Sequence, residues 1–291
     1  MNILIAFIPA IFWGIMPITN VKAGGKPINQ ILGTTMGAFL VSIVIFFITS
    51  PGLSSHALLY GILSGASWAF AQMLQFEAFT EIGVSGAMPI STGLQIIGTS
   101  LAGIVLFGEW PKTQTKLIGF LAILIIIVGV YLTTISDKKI VHTDKKVDVK
   151  KVVLIFVFQI FGYVGYSVFP TLGDLNGKEA FLPQTIGMVG AALLFSLLPS
   201  NLKLKPLFDK NTYSNVLSGI LFGIAAFGYL LSAKANGIAT GFTISQMNVV
   251  LATLLGVYVL KEEKSKQELI FTLVGLVLVV AGGIITTIMP Q

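Results

Sequence analysis

The chain has 291 residues, of which 55% are hydrophobic and only 10% are charged. Soluble domains are usually about a quarter charged, so this composition excludes a soluble protein and indicates a polytopic membrane protein. The absence of cysteine excludes thiol chemistry, and His56 and His142 fall in short polar connections, which argues against a buried metal site. We therefore expect no cofactor. The net charge of +6 comes from lysines alone, mostly at helix ends, and indicates membrane topology rather than nucleic-acid binding.

Apolar runs of about 20 residues follow one another along the chain, each long enough to cross a hydrocarbon layer roughly 30 Å thick. The first run lacks a basic start and a small-residue cleavage site, so we interpret it as a retained helix and not as a signal peptide. The ten predicted spans are residues 3–21, 29–49, 57–80, 84–107, 114–135, 152–171, 183–199, 214–236, 240–260 and 267–288.

Most of the stretch from Ala57 to Thr134 appears a second time between Asn215 and Thr287, and the segment Gly61–Gly65 has its counterpart in Gly219–Gly223. A repeat of this length is a structural unit. Each unit holds five predicted spans, an odd number, so the second unit must start on the opposite side of the bilayer. Such inverted repeats are typical of secondary transporters, which bind substrate near the midplane. The predicted fold is all-α, with ten transmembrane helices as two inverted five-helix repeats: residues 1–135, a cytoplasmic linker at 136–151, and residues 152–291.

The lysines predict the orientation of these spans. Fourteen of the 18 lie in connections after the first, third, fifth, seventh and ninth spans. Lysine-rich connections stay in the cytoplasm, so both termini are expected outside. The linker Ser136–Lys151 holds six of these lysines; its charge could attract anionic membrane lipid, although a solvated hinge needs no further role.

Polar residues at mid-depth are uncharged, because every carboxylate and lysine lies in a connection or within a turn or two of a helix end. A charge at mid-depth costs at least ~2.5–3.5 kcal/mol, and its absence favours a neutral substrate. Amides and aromatic rings instead share single helix faces, which suits a polyol, although each amide could equally join helices. The predicted substrate-binding residues are Trp13, Trp68, Gln72, Gln75, Gln95, Tyr163, Tyr166, Tyr229, Gln246 and Asn248.

Glu77 and Lys234 are the ionisable groups nearest to an intramembrane position, and they occupy equivalent places near the end of the third helix of each repeat. Inverted topology puts them on opposite sides of the membrane, so we expect no pairing between them. Glu77 is the candidate for proton coupling; the alternative is that it snorkels or pairs with a nearby lysine. Gly61 and Gly65 fit the small-xxx-small pattern of closely packed helices, which is the simpler explanation for them.

Two segments carry a resemblance to a known family. Leu106–Gly119 ends a leucine-rich helix in Gly-Glu and leads to a helix with spaced glycines, which resembles the signature of the drug/metabolite transporter superfamily. The second copy departs from it, since Leu260–Glu263 reads Leu-Lys-Glu-Glu. Phe12–Pro17 and the helix bearing Trp68 are similar to the glucose/ribose uptake family within that superfamily. The resemblance implies import of glucose or ribose, coupled to protons, in a bacterial plasma membrane.

Three hypotheses remain open at this point. The first is a monosaccharide importer in which the halves rock around a midplane cavity, with or without proton coupling. The second is an exporter of amino acids or other small metabolites, although zwitterions would favour a charge at mid-depth. The third, a membrane sensor or intramembrane enzyme, lacks both an output domain and a catalytic constellation at mid-depth. The expected partners are a sugar, protons and membrane lipid, and the oligomeric state stays open.

Overall fold

The computed structural model describes residues 3–108, 110, 112–135, 147–236, 245 and 247–288, and within these ranges the protein is built from helices without strands. Most of the predicted linker 136–151 lies outside the described residues. The helices are α1 Ile3–Ala23, α2 Pro27–Thr49, α3 Ser55–Phe107, α4 Thr113–Thr133, α5 Val149–Leu172, α6 Gly177–Ser196, α7 Pro199–Leu202, α8 Lys210–Ser214, α9 Val216–Asn236, α10 Asn248–Val259 and α11 Lys266–Ile288, with a 3-10 turn at Pro206–Phe208.

Membrane-spanning character is clear in much of this bundle. Six helices of the described chain are long and apolar enough to cross a membrane: α2, α3, α4, α5, α6 and α11. Large apolar side chains cover the outside of the bundle, as at Phe47 and Val105, because lipid and not water is expected to surround them. The protein is therefore a helical membrane protein, while the ten-span inverted repeat stays a prediction.

Helix α3 is 53 residues long and folds back on itself at Gly83. A straight helix of that length would measure about 80 Å, far more than a bilayer core. Gly83 has φ 73° and ψ 171°, a conformation open to glycine, and the residues on both sides of it are helical. The amide nitrogen of Gln75 lies 2.9 Å from the sulfur of Met88, 13 residues along the chain, which in a straight helix would be roughly 20 Å away. The two arms, α3a (residues 55–82) and α3b (residues 84–107), therefore pack side by side.

The arms of α3 match two of the predicted spans, 57–80 and 84–107, and the break between them lies at Gly83. The sequence predicts a boundary here, and the structure shows that Gly83 forms the elbow. The predicted span 240–260 is described as helix only over Asn248–Val259. In the predicted connection between spans 7 and 8 the structure adds α7, α8 and the 3-10 turn.

Two helix pairs approach each other closely enough for backbone contact. A side-chain carbon at Gly65 of α3a would overlap the carbonyl oxygen of Gln184 in α6. Likewise, a side-chain carbon at Gly219 of α9 would overlap the carbonyl oxygen of Thr34 in α2. These contacts give the glycines the packing role that the small-xxx-small pattern predicts. Each pair joins a helix from residues 1–135 to one from residues 152–291, so the two predicted halves are interleaved.

Three polar contacts join helix ends that the lysine pattern places on one side of the membrane, which we call the lysine-rich end. The amide of Asn20 donates to the side-chain oxygen of Asn215 over 2.9 Å. The ammonium of Lys151 contacts Glu81 at 2.8 Å, and the carboxylate of Glu262 reaches the backbone of Val84 at 2.6 Å.

Candidate functional site

A cluster of side-chain amides surrounds one tyrosine at the interface of α3a and α5. The hydroxyl of Tyr163 lies 2.9 Å from the side-chain oxygen of Gln72 and also within hydrogen-bond reach of that of Gln75. All three side chains are buried. A tyrosine hydroxyl has a single proton and can donate to only one of these oxygens at a time. One amide oxygen is therefore left to be satisfied by another donor.

A fourth member, Gln159, lies one turn before Tyr163 on α5 and is 2% exposed. Its side-chain nitrogen is buried and lies in range of the Tyr163 hydroxyl, but the two groups are poorly aligned for a hydrogen bond. Gln75 donates its own nitrogen to the sulfur of Met88, a weak acceptor. The amide cluster, defined as Gln72, Gln75, Gln159 and Tyr163, thus has unused hydrogen-bonding capacity inside the protein.

Aromatic side chains form a wall beside this cluster. Trp68 precedes Gln72 by one turn of α3a, and its ring centre lies 4.5 Å from that of Phe222 in α9. Trp13 of α1 lies 6.2 Å from Phe222 and 6.1 Å from Tyr229. The indole nitrogen of Trp13 is buried without a hydrogen-bond partner. The aromatic wall, Trp13, Trp68, Phe222 and Tyr229, therefore combines flat apolar faces with one free donor.

Tyr166 lies one turn after Tyr163 on α5 and within electrostatic range of Tyr229. Its backbone oxygen accepts a hydrogen bond from Ser64 over 2.7 Å, and Ser64 accepts in turn from Gln184 over 3.0 Å. Gln184 was not among the predicted site residues, because it shares no polar stripe with other residues of its span. The chain of contacts extends the site from α5 to α3a and α6.

The neighbourhood of the cluster is neutral. Among the described residues that are almost wholly buried, Glu268 alone carries a formal charge. It belongs to the first turn of α11, where it and Ser265 cap the helix reciprocally: Glu268 accepts from the backbone nitrogen of Ser265 over 2.8 Å. Side-chain amides with adjacent donors and acceptors, next to aromatic faces, match the hydroxyls and apolar C–H faces of a polyol.

Six of the predicted site residues, Trp13, Trp68, Gln72, Gln75, Tyr163 and Tyr229, are therefore brought together, and Tyr166 adjoins them. Two others make hydrogen bonds within their own segments. Gln95 donates to Ser91 over 3.0 Å, and Asn248 donates to the backbone oxygen of Ser245 over 2.8 Å. No direct bond to the amide cluster is seen for either. Gln246 lies outside the described residues, so its membership of the site stays a prediction.

The proton-coupling candidate Glu77 lies at the lysine-rich end, away from the cluster. It is 3.4 Å from the ammonium of Lys151, which also contacts Glu81 at 2.8 Å. In the structure Glu77 therefore pairs with a nearby lysine, which is the alternative to proton coupling that the sequence left open. The side chain of Lys234 lies outside the described residues, so the expectation that it does not pair with Glu77 is not tested.

A second buried polar network joins α1 and α2 to α8 and to Asn215 between α8 and α9, and the sequence did not predict it as a unit. Asn20 donates to Thr34 over 2.9 Å as well as to Asn215, and Asn29 donates to Thr212 over 3.0 Å. The residues come from positions almost 200 apart in the chain. Single polar residues near span ends were the only sequence signal for it.

A helical membrane protein with a neutral, buried amide site between helices from both ends of the chain has the features of a carrier for a small uncharged solute. Comparison with known proteins gives the family. The sequence model of the family described as "Sugar transport protein" matches residues 4–289, and the chain belongs to this family.

Relatives from several bacteria resemble the chain over nearly its whole length. The "Putative ribose uptake protein RbsU" of Latilactobacillus sakei is 45% identical over 98% of this chain and 97% of its own. A Listeria monocytogenes protein named for sugar uptake is 44% identical over 97% of each chain. The RbsU protein of Staphylococcus aureus strain N315 is 40% identical. These names confirm the predicted resemblance to a sugar uptake family, and all of them describe uptake rather than catalysis.

A solved crystal structure is also similar in fold. It matches with a TM-score of 0.62 over 97% of this chain and 94% of its own, at 16% sequence identity. At that identity the likeness concerns the fold alone.

Proposed function

We propose that this protein imports a neutral monosaccharide, glucose or ribose, across the bacterial plasma membrane by alternating access, and that uptake is coupled to protons. The amide cluster is the observation that carries the proposal. One tyrosine hydroxyl serves two buried amide oxygens, and the buried amide nitrogen of Gln159 lies in range of the same hydroxyl without a well-aligned hydrogen bond. Sugar hydroxyls both donate and accept, so a bound sugar would satisfy these groups. The names of the relatives supply the substrate class.

The neutrality of the site supports a sugar over an amino acid. A zwitterion brings two charges, and a buried charge without a partner is costly. The described residues of the amide cluster and aromatic wall hold amides, indoles, a phenyl ring and phenols, which suit an uncharged ligand. The aromatic wall would lie against the C–H face of the sugar ring.

In the proposed mechanism, the two predicted halves, residues 1–135 and 152–291, rock around the amide cluster and open it to one side at a time. Glu77 is the proposed proton carrier. It is 32% exposed at the lysine-rich end and held by Lys151, so its protonation would release that ion pair.

Counterflow in liposomes tests the substrate. Purified protein is reconstituted in liposomes that are loaded with an unlabelled solute, and the entry of the same solute in labelled form is followed for glucose, ribose and a panel of amino acids in turn. We expect exchange of a monosaccharide. Exchange of amino acids without sugars would instead support the exporter hypothesis. An imposed pH gradient should then drive accumulation, and Glu77→Gln should abolish accumulation while leaving counterflow in place.

The site itself is tested with Gln72→Leu and Gln95→Leu, both of which should abolish uptake while the protein stays in the membrane. The matched control is Gln114→Leu, since Gln114 is exposed at the start of α4. Normal uptake in both test variants would remove these residues from the site. Because Gln95 bonds within its own helix, loss of uptake in Gln72→Leu alone would restrict the site to the amide cluster.

A further inference from the structure

The elbow of α3 is held by a carboxylate from the other end of the chain. Glu262, just beyond the end of α10, accepts the backbone N–H of Val84 over 2.6 Å and that of Ser85 over 2.8 Å, one with each carboxylate oxygen. These are the first two N–H groups after Gly83. They begin α3b and therefore have no partner within the helix itself. The contact joins residues 178 and 177 positions apart.

Two glycines make room for this carboxylate. At Gly83 a side-chain carbon would lie 2.8 Å from the carboxyl carbon of Glu262. At Gly256 of α10 it would lie 2.9 Å from the nitrogen of Ser85 and 3.0 Å from a carboxylate oxygen of Glu262. Both positions therefore admit glycine without displacement of the carboxylate. We call the set Gly83, Val84, Ser85, Gly256 and Glu262 the elbow latch.

The two side-chain oxygens of Glu262 act as paired acceptors at the start of a helix. A carboxylate at a helix N-terminus is stabilised by the helix dipole and by charge-assisted hydrogen bonds. Lys264 lies within electrostatic range of Glu268 and Glu262. Burial lowers the pKa of Lys264, and the two carboxylates oppose that shift. The latch is thus a specific contact and not an incidental surface pair.

Its location connects the latch to the candidate site. Val84 opens α3b, and one turn later Met88 accepts the hydrogen bond of Gln75 from the amide cluster. Met88 is 6% exposed. Along α3b the latch therefore lies between Met88, next to the amide cluster, and the lysine-rich end.

We propose that Glu262 is a positioning residue for transport, whose grip on the α3 elbow keeps the lysine-rich end of the carrier closed. Release of the two N–H groups lets α10 and the elbow separate, which exposes the amide cluster on that side. This role rests on the proposed transport function, because it concerns access to the same site. Glu262 contacts no substrate.

The natural absence of cysteine makes a direct accessibility test practical. Met88→Cys supplies a single buried reporter, and its reaction with a membrane-impermeant maleimide is timed with reagent applied to each side of oriented proteoliposomes. Glu262→Gln loses the negative charge and leaves a single acceptor oxygen. Gly83→Ala pushes against the carboxylate while keeping Glu262. Both should speed labelling from the lysine-rich side by about tenfold, since charge-assisted hydrogen bonds are lost or strained.

Matched controls separate the latch from general damage. Glu263→Gln removes the same charge from an exposed neighbour. Gly86→Ala adds the same methyl one turn after the elbow, where the nearest atom is 3.6 Å away on Ile82. Both controls should label at the parent rate. Unchanged labelling in Glu262→Gln and Gly83→Ala, or an equal rise in the controls, would overturn the latch.

The labelling assay uses no sugar, so its result is independent of the substrate assignment. Faster labelling in the latch variants of a protein that exchanges no monosaccharide would leave the latch in place and refute the proposed function. Sugar exchange by the parent protein with unchanged labelling in both latch variants would support the proposed function and refute the latch.

Discussion

Tyr163→Phe is the substitution that best separates a binding site from a structural contact. It removes one hydroxyl and keeps the ring, so the packing of α5 against α3a is retained. The side-chain oxygens of Gln72 and Gln75 then both lose their shared donor. A net hydrogen bond is worth roughly 1 kcal/mol, and a buried group left unsatisfied costs about 1–3 kcal/mol. We expect the free energy of unfolding to fall by about 1–3 kcal/mol.

A sugar bound in the cluster adds a second, independent effect. If the hydroxyl of Tyr163 also takes part in binding, its loss weakens the apparent affinity by about tenfold, which corresponds to ~1.4 kcal/mol. Affinity is read from the concentration of sugar that half-saturates counterflow, and from the rise in unfolding temperature of the purified protein with added sugar. The control is Tyr131→Phe, because Tyr131 of α4 is 66% exposed and faces away from the cluster.

The two effects distinguish the hypotheses. A variant that is less stable but half-saturates at the parent concentration would show that the amide cluster only joins helices. That result would refute the assignment of the site, even if the protein transports sugar. A change of affinity in Tyr131→Phe of the same size would show that the assay reports general damage to the protein.

Three further substitutions test the packing, the aromatic wall and the ion pair. Gly65→Ala should destabilise the protein by at least about 1–3 kcal/mol, because the added carbon overlaps the backbone of Gln184. Gly190→Ala adds a carbon in open space and should leave stability unchanged. Thermal unfolding in detergent compares the two variants, and equal melting temperatures would contradict the close approach of Gly65 and Gln184. Trp13→Phe should weaken sugar affinity about tenfold, since the unpartnered indole N–H is then lost as a donor to the sugar; unchanged affinity would remove Trp13 from the site. Lys151→Gln should lower the free energy of unfolding by at most about 1 kcal/mol, and by less in high salt, because the side chain of Lys151 is 46% exposed. A larger decrease that does not depend on salt would mean that the ion pair is buried.

The fold class and the faces of single helices could be predicted from the sequence. Apolar runs need a lipid surround, and the 3.6-residue helical period puts Trp68, Gln72 and Gln75 on one stripe wherever the helix lies. The pairing role of Gly65 could be predicted as well, because a glycine in an apolar helix has few other uses. Each of these follows from local geometry alone.

The partners of those faces could not be predicted in the same way. Gln95 and Asn248 look like Gln72 in sequence, yet each bonds within its own segment, because a helical period gives a direction but not the neighbour found there. From the sequence, Glu77 at a span end could either carry a proton or pair with a lysine, and only the structure shows Lys151 beside it.

By itself, the sequence determined that this protein is a helical membrane protein with uncharged polar faces, since composition, span length and helical period are local properties of the chain. The tertiary structure alone decided that one tyrosine serves two glutamines and that Glu262 holds the elbow at Gly83. Those contacts join positions up to 178 residues apart, and only the packing of whole helices brings such positions together.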